Sequence, residues 1–258
     1  MVKQIYDVSV VLALNKIDEF TFSAIDSVLT QKNVKHQVVI VLNGPNCDEL
    51  YFEVSSKYGS INYVKIVSIS IGQLACALNI GISQADSEYI ARMDADDLSD
   101  PSRLRKQLDY LNKYNLDLVG CDVYLIDVKG FKIGSRKFPR RKQINRSLLY
   151  KNSFCHPSVL FKKEIVLQCR GYNAGFNSED YDLWLRLRKK SVAWDNMETK
   201  LLEYRMHPSS TQGSVLAYCE CCGMFLREFL LRPSFGLFFA LAFSIIKYVR
   251  LKFHNFFL

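Results

Sequence analysis

Apolar runs and stretches of helical spacing alternate along the N-terminal half of the chain. Four largely apolar runs have the length of buried strands and cover residues 8–14, 37–42, 62–67 and 89–93. Segments with apolar residues at helical spacing separate them, at 18–31, 48–58 and 72–84. This alternation of strands and helices predicts the α/β class, with a parallel sheet covered by helices on both faces.

The pattern changes after residue 115. Two strand-like runs, 116–128 and 131–138, surround Lys129-Gly130, which is typical of a hairpin turn. A short strand at 158–161, a helix at 180–190 and a strand at 200–205 follow. We therefore predict one domain over residues 1–212, in which the halves 1–115 and 116–212 form the two walls of a cleft.

The C-terminal segment, residues 213–258, is predicted to be helical and has a different composition. Residues 234–246 are nearly all apolar, but a transmembrane helix needs about 20 such residues. Lys247, Arg250 and Lys252 then alternate with apolar and aromatic side chains. This pattern predicts that 234–258 lies in the interface of an anionic membrane. The alternative is a helix packed on the domain or on a partner subunit.

Composition narrows the classes of function. Of the 258 residues, 49% are hydrophobic and 23% are charged, which indicates a globular rather than a disordered chain. The net charge of +8 fits a phosphorylated substrate or an anionic membrane. Nucleic-acid binding is disfavoured because the basic residues are dispersed and no recognition motif is present. The eight cysteines lack zinc spacing and the N-terminus lacks a signal-peptide pattern, so a reducing cytoplasm is expected.

Three aspartates, Asp94, Asp96 and Asp97, directly follow the fourth predicted strand. Crowded carboxylates repel one another unless a cation neutralises them, and their oxygens are hard ligands for Mg²⁺ or Mn²⁺. Asp100 is a suitable N-cap for a helix at 103–114, with Pro101 at its first position. The acids therefore lie at the carboxyl end of a strand, where open α/β sheets bind ligands. The alternative is an acidic loop that only caps the helix.

A second acidic pair, Glu179-Asp180, opens the helix predicted at 180–190. The helix dipole stabilises a carboxylate there, so Asp180 can accept the proton of an attacking hydroxyl. Ordinary N-terminal capping is the alternative. His156 and His207 each precede a proline, so their backbone is extended and their rings can project into a cleft. The alternative for each is a plain surface or hydrogen-bonded histidine.

Several stretches together resemble one family, the bacterial glycosyltransferases of family 2. These are the inverting GT-A enzymes of O-antigen and exopolysaccharide assembly. The matching stretches are Asn15-Lys16, Asp26-Ser27-Val28-Leu29-x-Gln31, Gly72-x-Leu74-Ala75-x-Ala77-Leu78-Asn79-x-Gly81, residues 88–97, Pro101-x-Arg103 with Gln107, His156-Pro157-Ser158-Val159, Gly171-Tyr172 and residues 179–184. The resemblance implies a GT-A fold with a mostly parallel central sheet, a nucleotide-binding half at 1–115 and an acceptor half at 116–212.

The resemblance also implies roles for the acidic residues. Asp94 and Asp96 match the family's Asp-x-Asp motif, in which the second aspartate binds Mn²⁺ or Mg²⁺ and the first contacts the donor or the metal. Asp180 matches the catalytic base, with Glu179 beside it. Further implied contacts are Asn43, Asn79, Arg92 and Arg205 for the nucleotide sugar, His207 for the metal, and His156 and Trp184 for the acceptor. Leu42-Asn43 departs from the acidic pair usual after the second strand, which leaves the nucleotide base open.

The implied reaction moves a hexose or N-acetylhexosamine from a nucleotide sugar, most often UDP-linked, to a saccharide on polyprenyl diphosphate. The protein is then expected in the cytoplasm, peripheral on the inner face of the bacterial inner membrane, with a possible homo-oligomer. The alternative is a non-catalytic nucleotide-binding or scaffold protein at the membrane surface. Two other enzyme classes fit the sequence less well. A dehalogenase-like phosphatase would carry Asp-x-Asp on its first strand, whereas here the motif follows the fourth. A two-carboxylate glycosidase would leave three clustered aspartates unexplained.

Overall fold

The computed structural model describes residues 6–173, 175, 177–207 and 215–254. The strands are β1 Val8–Leu14, β2 His36–Asn43, β3 Val64–Ile69, β4 Tyr89–Met93, β5 Leu98–Ser99, β6 Leu118–Ile126, β7 Lys132–Arg136, β8 Leu160–Lys162 and β9 Trp194–Arg205. The helices are α1 Thr21–Leu29, α2 Cys47–Tyr58, α3 Leu74–Gln84, α4 Arg103–Lys113, α5 Lys142–Ser147, α6 Lys163–Gln168, α7 Glu179–Lys189, α8 Val215–Leu231 and α9 Phe235–His254.

One mixed sheet joins the strands in the order β3-β2-β1-β4-β8-β6-β9-β5, and β7 pairs with β6. The first four strands in this order are parallel, as the alternation of strands and helices predicts. The short β8 runs antiparallel to both β4 and β6 and joins the two halves of the chain. The carboxyl end of β4 therefore lies near the middle of the sheet. The predicted α/β class is confirmed.

The two faces of the sheet carry separate apolar cores. In β1, Val8, Val10 and Leu12 pack with α1, α2 and α4, whereas Val11 packs with α3 and α7 on the other face. Such alternation is the two-residue period of a strand buried on both sides. Gly81 lets α3 approach closely, because a Cβ at this position would lie 2.4 Å from Cγ1 of Val11. Gly81 is thus a packing requirement.

Several element boundaries differ from prediction for identifiable reasons. Helix α4 starts at Arg103 as predicted, but its N-cap is Ser102 rather than Asp100, because the carboxylate of Asp100 accepts the Ser102 N–H at 2.8 Å and holds 100–102 as a turn. Strand β9 starts at Trp194, before the predicted residue 200, because it pairs along its length with the distant strand β6. The sequence pattern also missed β5, α5 and α6.

Helices α8 and α9 pack on the sheet domain. Phe225 of α8 and Leu237 and Ala240 of α9 belong to the same buried cluster as Trp184 of α7. The opposite side of α9 remains apolar and exposed. No helix in the described part of the chain has the length and apolar content needed to cross a bilayer.

A buried arginine joins α4 by hydrogen bonds to two segments that are distant from each other in the sequence. Arg103 is fully buried, and its guanidinium donates to the carbonyl oxygen of Pro157 at 2.7 Å and to that of Arg92 at 3.1 Å. Gln107, one helical turn later, donates to the carbonyl oxygen of Ser158 at 2.7 Å. Burial lowers the pKa of Arg103 to about 10.

Replacing Arg103 should therefore destabilise the protein. We expect Arg103→Met to lower the free energy of unfolding by about 2–3 kcal/mol, because two buried carbonyl groups lose a charged donor. Urea denaturation measures the change. The control is Arg105→Met on the exposed face of the same helix, where we expect less than about 0.5 kcal/mol. Equal stability of the two variants would show that the buried hydrogen bonds of Arg103 do not stabilise the fold.

Candidate active site

The acidic residues after β4 form one cluster. Each of Asp94, Asp96 and Asp97 offers a carboxylate oxygen, and these oxygens lie within 4.8 Å of one another. The cluster occupies the carboxyl end of a parallel strand, between β4 and the short β5. Its position agrees with the rule that open α/β sheets bind ligands at this end.

Arg205, the last residue of β9, holds the acidic loop in place. Its backbone N–H donates to Oδ1 of Asp97 at 2.8 Å, and its Nε donates to the carbonyl oxygen of Asp96 at 2.8 Å. Its Nη1 donates to the carbonyl oxygen of Asp127 at 2.9 Å, and the guanidinium lies 4.3 Å from the ring centroid of Phe20. Much of the hydrogen-bonding capacity of this side chain is therefore committed to the protein backbone.

The acidic cluster has the properties of a divalent-cation site. Burial, together with Asp94 and Asp96, raises the pKa of Asp97 well above its ordinary value. Oδ2 of Asp97 is buried and has no hydrogen-bond partner in the described structure. Nε2 of His207 lies 2.8 Å from Oδ2 of Asp96, so a nitrogen ligand is adjacent. Three crowded carboxylates and an imidazole are donors suited to Mg²⁺ or Mn²⁺.

Arg92 is the cation that the protein itself supplies. It is buried on β4, and its guanidinium is ion-paired with Oδ1 of Asp94. Burial raises the pKa of Asp94, and the charge of Arg92 opposes that rise. The charge of Arg92 also lowers the pKa of Glu179 and Asp180 against the effect of their burial. Arg92 is therefore close to both acidic segments.

The second acidic segment is the N-terminus of α7. Asp180 accepts hydrogen bonds from Nδ2 of Asn152 at 2.6 Å and from the Tyr181 N–H at 2.6 Å. Burial raises the pKa of Asp180, and these two hydrogen bonds lower it. Asn152 therefore orients the carboxylate, and burial keeps the pKa of Asp180 raised against the two hydrogen bonds.

Helix α8 fixes the residues that precede Asp180. The Ser178 hydroxyl donates to Oε2 of Glu220, and the Asn177 N–H donates to the same oxygen at 3.1 Å. Arg227, two turns further along α8, forms an ion pair with Asp182 of α7 at 2.7 Å. The C-terminal segment therefore positions the first turn of α7.

His156 lies between Tyr172 and the acidic pair. Its Nε2 is 2.9 Å from the Tyr172 hydroxyl, and its Nδ1 is 3.9 Å from Oε1 of Glu179. Burial, with Arg92 nearby, lowers the pKa of His156 well below its ordinary value, so the imidazole is neutral at pH 7. Asn79 holds Tyr172 through both of its amide atoms, at 2.8 Å each. Asn79 is thus a structural support of this wall.

A cavity of about 460 Å³ joins the two acidic segments. Arg92 and Asp94 line it together with Asn152, His156, Glu179 and Asp180. Helices α8 and α9 contribute an apolar and aromatic wall that includes Tyr218, Phe225 and Phe243. The volume is within the range of sites that bind small ligands. Two acidic segments that are distant in sequence therefore share one cavity.

Other predicted site residues lie outside the lining of this cavity. Asp96 belongs to the acidic loop, and Arg205 and His207 both contact it. Asn43 is buried at the end of β2. Trp184 is fully buried behind the wall, where its ring packs against Phe154 and His156, so it has no surface for a direct acceptor contact. Sequence reasoning missed Asn152 and Glu220, because their polar groups act through distant partners and no local motif marks them. It included Gly171-Tyr172 among the matching stretches but gave Tyr172 no role.

Comparison with known proteins adds three findings. The model of the family Glycosyl transferase family 2 matches residues 10–170. The O-antigen biosynthesis glycosyltransferase WbnJ of Escherichia coli is 41% identical over 242 residues, which cover 93% of this chain and 95% of the relative. The E. coli protein named UDP-Gal:alpha-D-GlcNAc-diphosphoundecaprenol beta-1,3-galactosyltransferase is 27% identical, covering 72% of this chain and 68% of its own length.

Solved structures of S. aureus TarS have a similar fold. TarS 1–349 gives a TM-score of 0.69 at 14% identity and covers 93% of this chain and 71% of that chain. Its complex with UDP-GlcNAc gives a TM-score of 0.68 at 12% identity and covers 86% of this chain and 66% of that chain. The likeness confirms the GT-A fold that the sequence resemblance implies.

The buried carboxyl of Glu179 should make stability depend on pH. Burial and Asp180 raise its pKa from 4.5 to about 7, so the folded protein keeps a proton that the unfolded chain releases between these values. The free energy of unfolding should therefore fall as pH rises from 4.5 to 7.

Glu179→Gln does not titrate at this position. Its free energy of unfolding relative to the wild type should rise with pH, by up to about 3 kcal/mol between pH 4.5 and 8. Urea unfolding of metal-free protein at several pH values measures this change, with Glu53→Gln on the exposed face of α2 as the control. A relative stability that is constant with pH would contradict the assignment.

Proposed function

Because this chain belongs to glycosyl transferase family 2, we propose that it is an inverting, metal-dependent enzyme that uses a UDP-linked hexose or N-acetylhexosamine. The proposed acceptor is a saccharide on polyprenyl diphosphate, and the product belongs to O-antigen-type surface polysaccharide. The names of the two E. coli relatives support the pathway and the acceptor class. The UDP-GlcNAc bound to TarS supports the donor class.

One observation carries the proposal. Asp94 and Asp180 line the same cavity, although 86 positions separate them in the sequence. A donor sugar between them would have its diphosphate on the side of the acidic loop and its anomeric carbon toward Asp180. In-line attack from the side of Asp180 inverts the configuration at that carbon.

The side chains of the cavity have distinct roles in this proposal. Asp180 accepts the proton of the acceptor hydroxyl as attack proceeds, and Asn152 keeps the carboxylate oriented. Arg92 keeps Asp94 ionised toward the donor, and neutral His156 offers a hydrogen bond to the acceptor. Asp94 and Asp96, with His207, would hold Mn²⁺ or Mg²⁺, which acts as a Lewis acid on the departing diphosphate. Asn43 is a candidate contact of the nucleotide base.

Transfer by purified variants tests the two acidic roles. A panel of nucleotide sugars is first screened for Mn²⁺-dependent protection against thermal unfolding, which identifies the donor. With that donor and a synthetic diphosphate-lipid saccharide, we expect Asp180→Asn to lower kcat by about 10²–10⁴-fold, because the base is lost. Asp96→Ala should lower transfer by at least about 10²-fold, because charge stabilisation at the diphosphate is lost.

The matched control for these variants is Asp109→Asn on the exposed face of α4, which should transfer like the wild type. Wild-type transfer by Asp180→Asn or by Asp96→Ala would refute the corresponding role. Metal-dependent binding of a UDP-sugar without turnover on any lipid-linked acceptor would instead favour the non-catalytic scaffold. Release of free sugar would indicate hydrolysis.

The outer side of α9 supports the membrane part of the proposal. The exposed apolar side chains of this helix recur at helical spacing and define an outer stripe, which comprises Phe235, Phe238, Phe239, Ile245, Ile246 and Val249. Arg250 and Lys252 are exposed beyond it. An apolar stripe with nearby cations is typical of a helix that lies in the interface of an anionic membrane.

Point substitutions can test this surface without removing the buried side of α9. We expect Phe235→Ser combined with Ile246→Ser to weaken binding to anionic vesicles by about tenfold or more, because two exposed apolar side chains are lost. Vesicle sedimentation measures binding, and thermal unfolding checks the fold. Phe52→Ser on α2 is the control, since Phe52 is 79% exposed but lies on a different element. Unchanged sedimentation of the double variant would exclude the outer stripe as the membrane contact.

A further inference from the structure

The inner side of α9 forms part of the active-site cavity. Ala240, Phe243, Ser244 and Lys247 all line it, and their spacing of three and four residues places them along one side of the helix. The outer stripe follows the opposite side of the same helix. Helix α9 therefore faces the site of chemistry with one side and the exterior with the other.

Lys247 brings a positive charge to an aromatic part of the cavity. Its Nζ lies 4.7 Å from the ring centroid of Phe243 and 5.8 Å from that of Tyr218. In the described portion of the chain, no carboxylate oxygen lies within 4.0 Å of this Nζ. An ammonium group without a carboxylate partner, next to a cavity, is suited to bind an anion.

A second cation approaches the cavity from the segment before β8. Tyr150 packs edge-on against Phe243, with their ring centroids 5.9 Å apart, so this segment lies against α9. Lys151, the next residue, lines the cavity, and it too has no carboxylate within 4.0 Å among the described residues. The part of the cavity next to α9 thus combines two ammonium groups with the rings of Tyr150, Tyr218 and Phe243.

This basic part of the cavity lies close to the proposed base. Burial raises the pKa of Cys221 to about 12, Asp180 adds to the rise, and Lys247 opposes it. Cys221 lines the cavity and is therefore near both charged groups. An acceptor whose hydroxyl contacts Asp180 would have its other end directed toward Lys247.

We propose that Lys247 and Lys151 form a subsite for the diphosphate of the lipid-linked acceptor, with Phe243 and Tyr150 in contact with the first isoprenoid units. This inference rests on the proposed function, because it concerns the acceptor of the same site. The donor diphosphate is assigned to the metal cluster, so the cations near α9 serve a second diphosphate. The outer stripe of α9 would keep the mouth of the cavity at the membrane surface, where the lipid enters.

Direct binding tests the subsite independently of turnover. Farnesyl diphosphate is titrated into the full-length protein in buffer with EDTA and without donor, and isothermal titration calorimetry gives its Kd. We expect Lys247→Gln to raise this Kd by about tenfold or more, because a charge-assisted contact is lost. Lys247→Arg should retain affinity within a few-fold. Lys106→Gln, at an exposed lysine of α4 that does not line the cavity, should bind like the wild type.

Two further measurements separate this subsite from other roles of Lys247. The affinity for UDP with Mn²⁺ should be the same in Lys247→Gln and in the wild type, whereas the KM for a diphosphate-lipid acceptor should rise. An equal Kd for farnesyl diphosphate in Lys247→Gln and the wild type would overturn the inference, as would an equal loss of UDP affinity. If wild-type protein bound farnesyl diphosphate through Lys247 but transferred no sugar, the proposed function would fail and the subsite would stand.

Discussion

The buried guanidinium of Arg92 is the charge around which the site is arranged. Asp94 and Asp97 follow it on the same segment, and Glu179 and Asp180 approach it from α7. Like charges in a poorly solvated place repel strongly, so this set is stable only with cations among its members. Arg92 supplies one positive charge, and the three aspartates of the loop leave negative charge for another. Burial, together with the charge of Arg92, lowers the pKa of His156 and keeps it neutral.

The C-terminal helices complete a site that the family pattern only partly covers. The match to the family ends at residue 170, before Glu179 and Asp180 and before both tail helices. Helix α8 holds the first turn of α7 through Glu220 and Arg227, and α9 lines the cavity with its inner side. A contact of the outer stripe with a membrane would therefore be made by the same helix that lines the cavity of the proposed base. In the proposal, one helix therefore serves both acceptor recognition and membrane attachment.

Much of the fold was predictable because its information is local. Strands β1 and β4 and helix α7 were predicted within a residue or two, since their apolar periodicity is strong and turn residues bound them. The parallel half of the sheet follows from the alternation alone. The first half of β9, the two-residue β5 and the short helices α5 and α6 carry weak local signals. They exist because distant segments provide their hydrogen bonds and apolar contacts.

The sequence by itself determined which residues carry charge and chemistry. These are the Asp-x-Asp loop, the Glu-Asp pair and the apolar, basic C-terminal segment. Only the tertiary structure decided which of them meet. It placed Asp94 and Asp180 in one cavity, committed Arg205 and Asn79 to backbone groups, and put Trp184 behind the wall. The physical reason is that periodicity and capping are set by near neighbours in the chain. Hydrogen-bond partners and charge environments are set by packing between segments that are far apart in sequence.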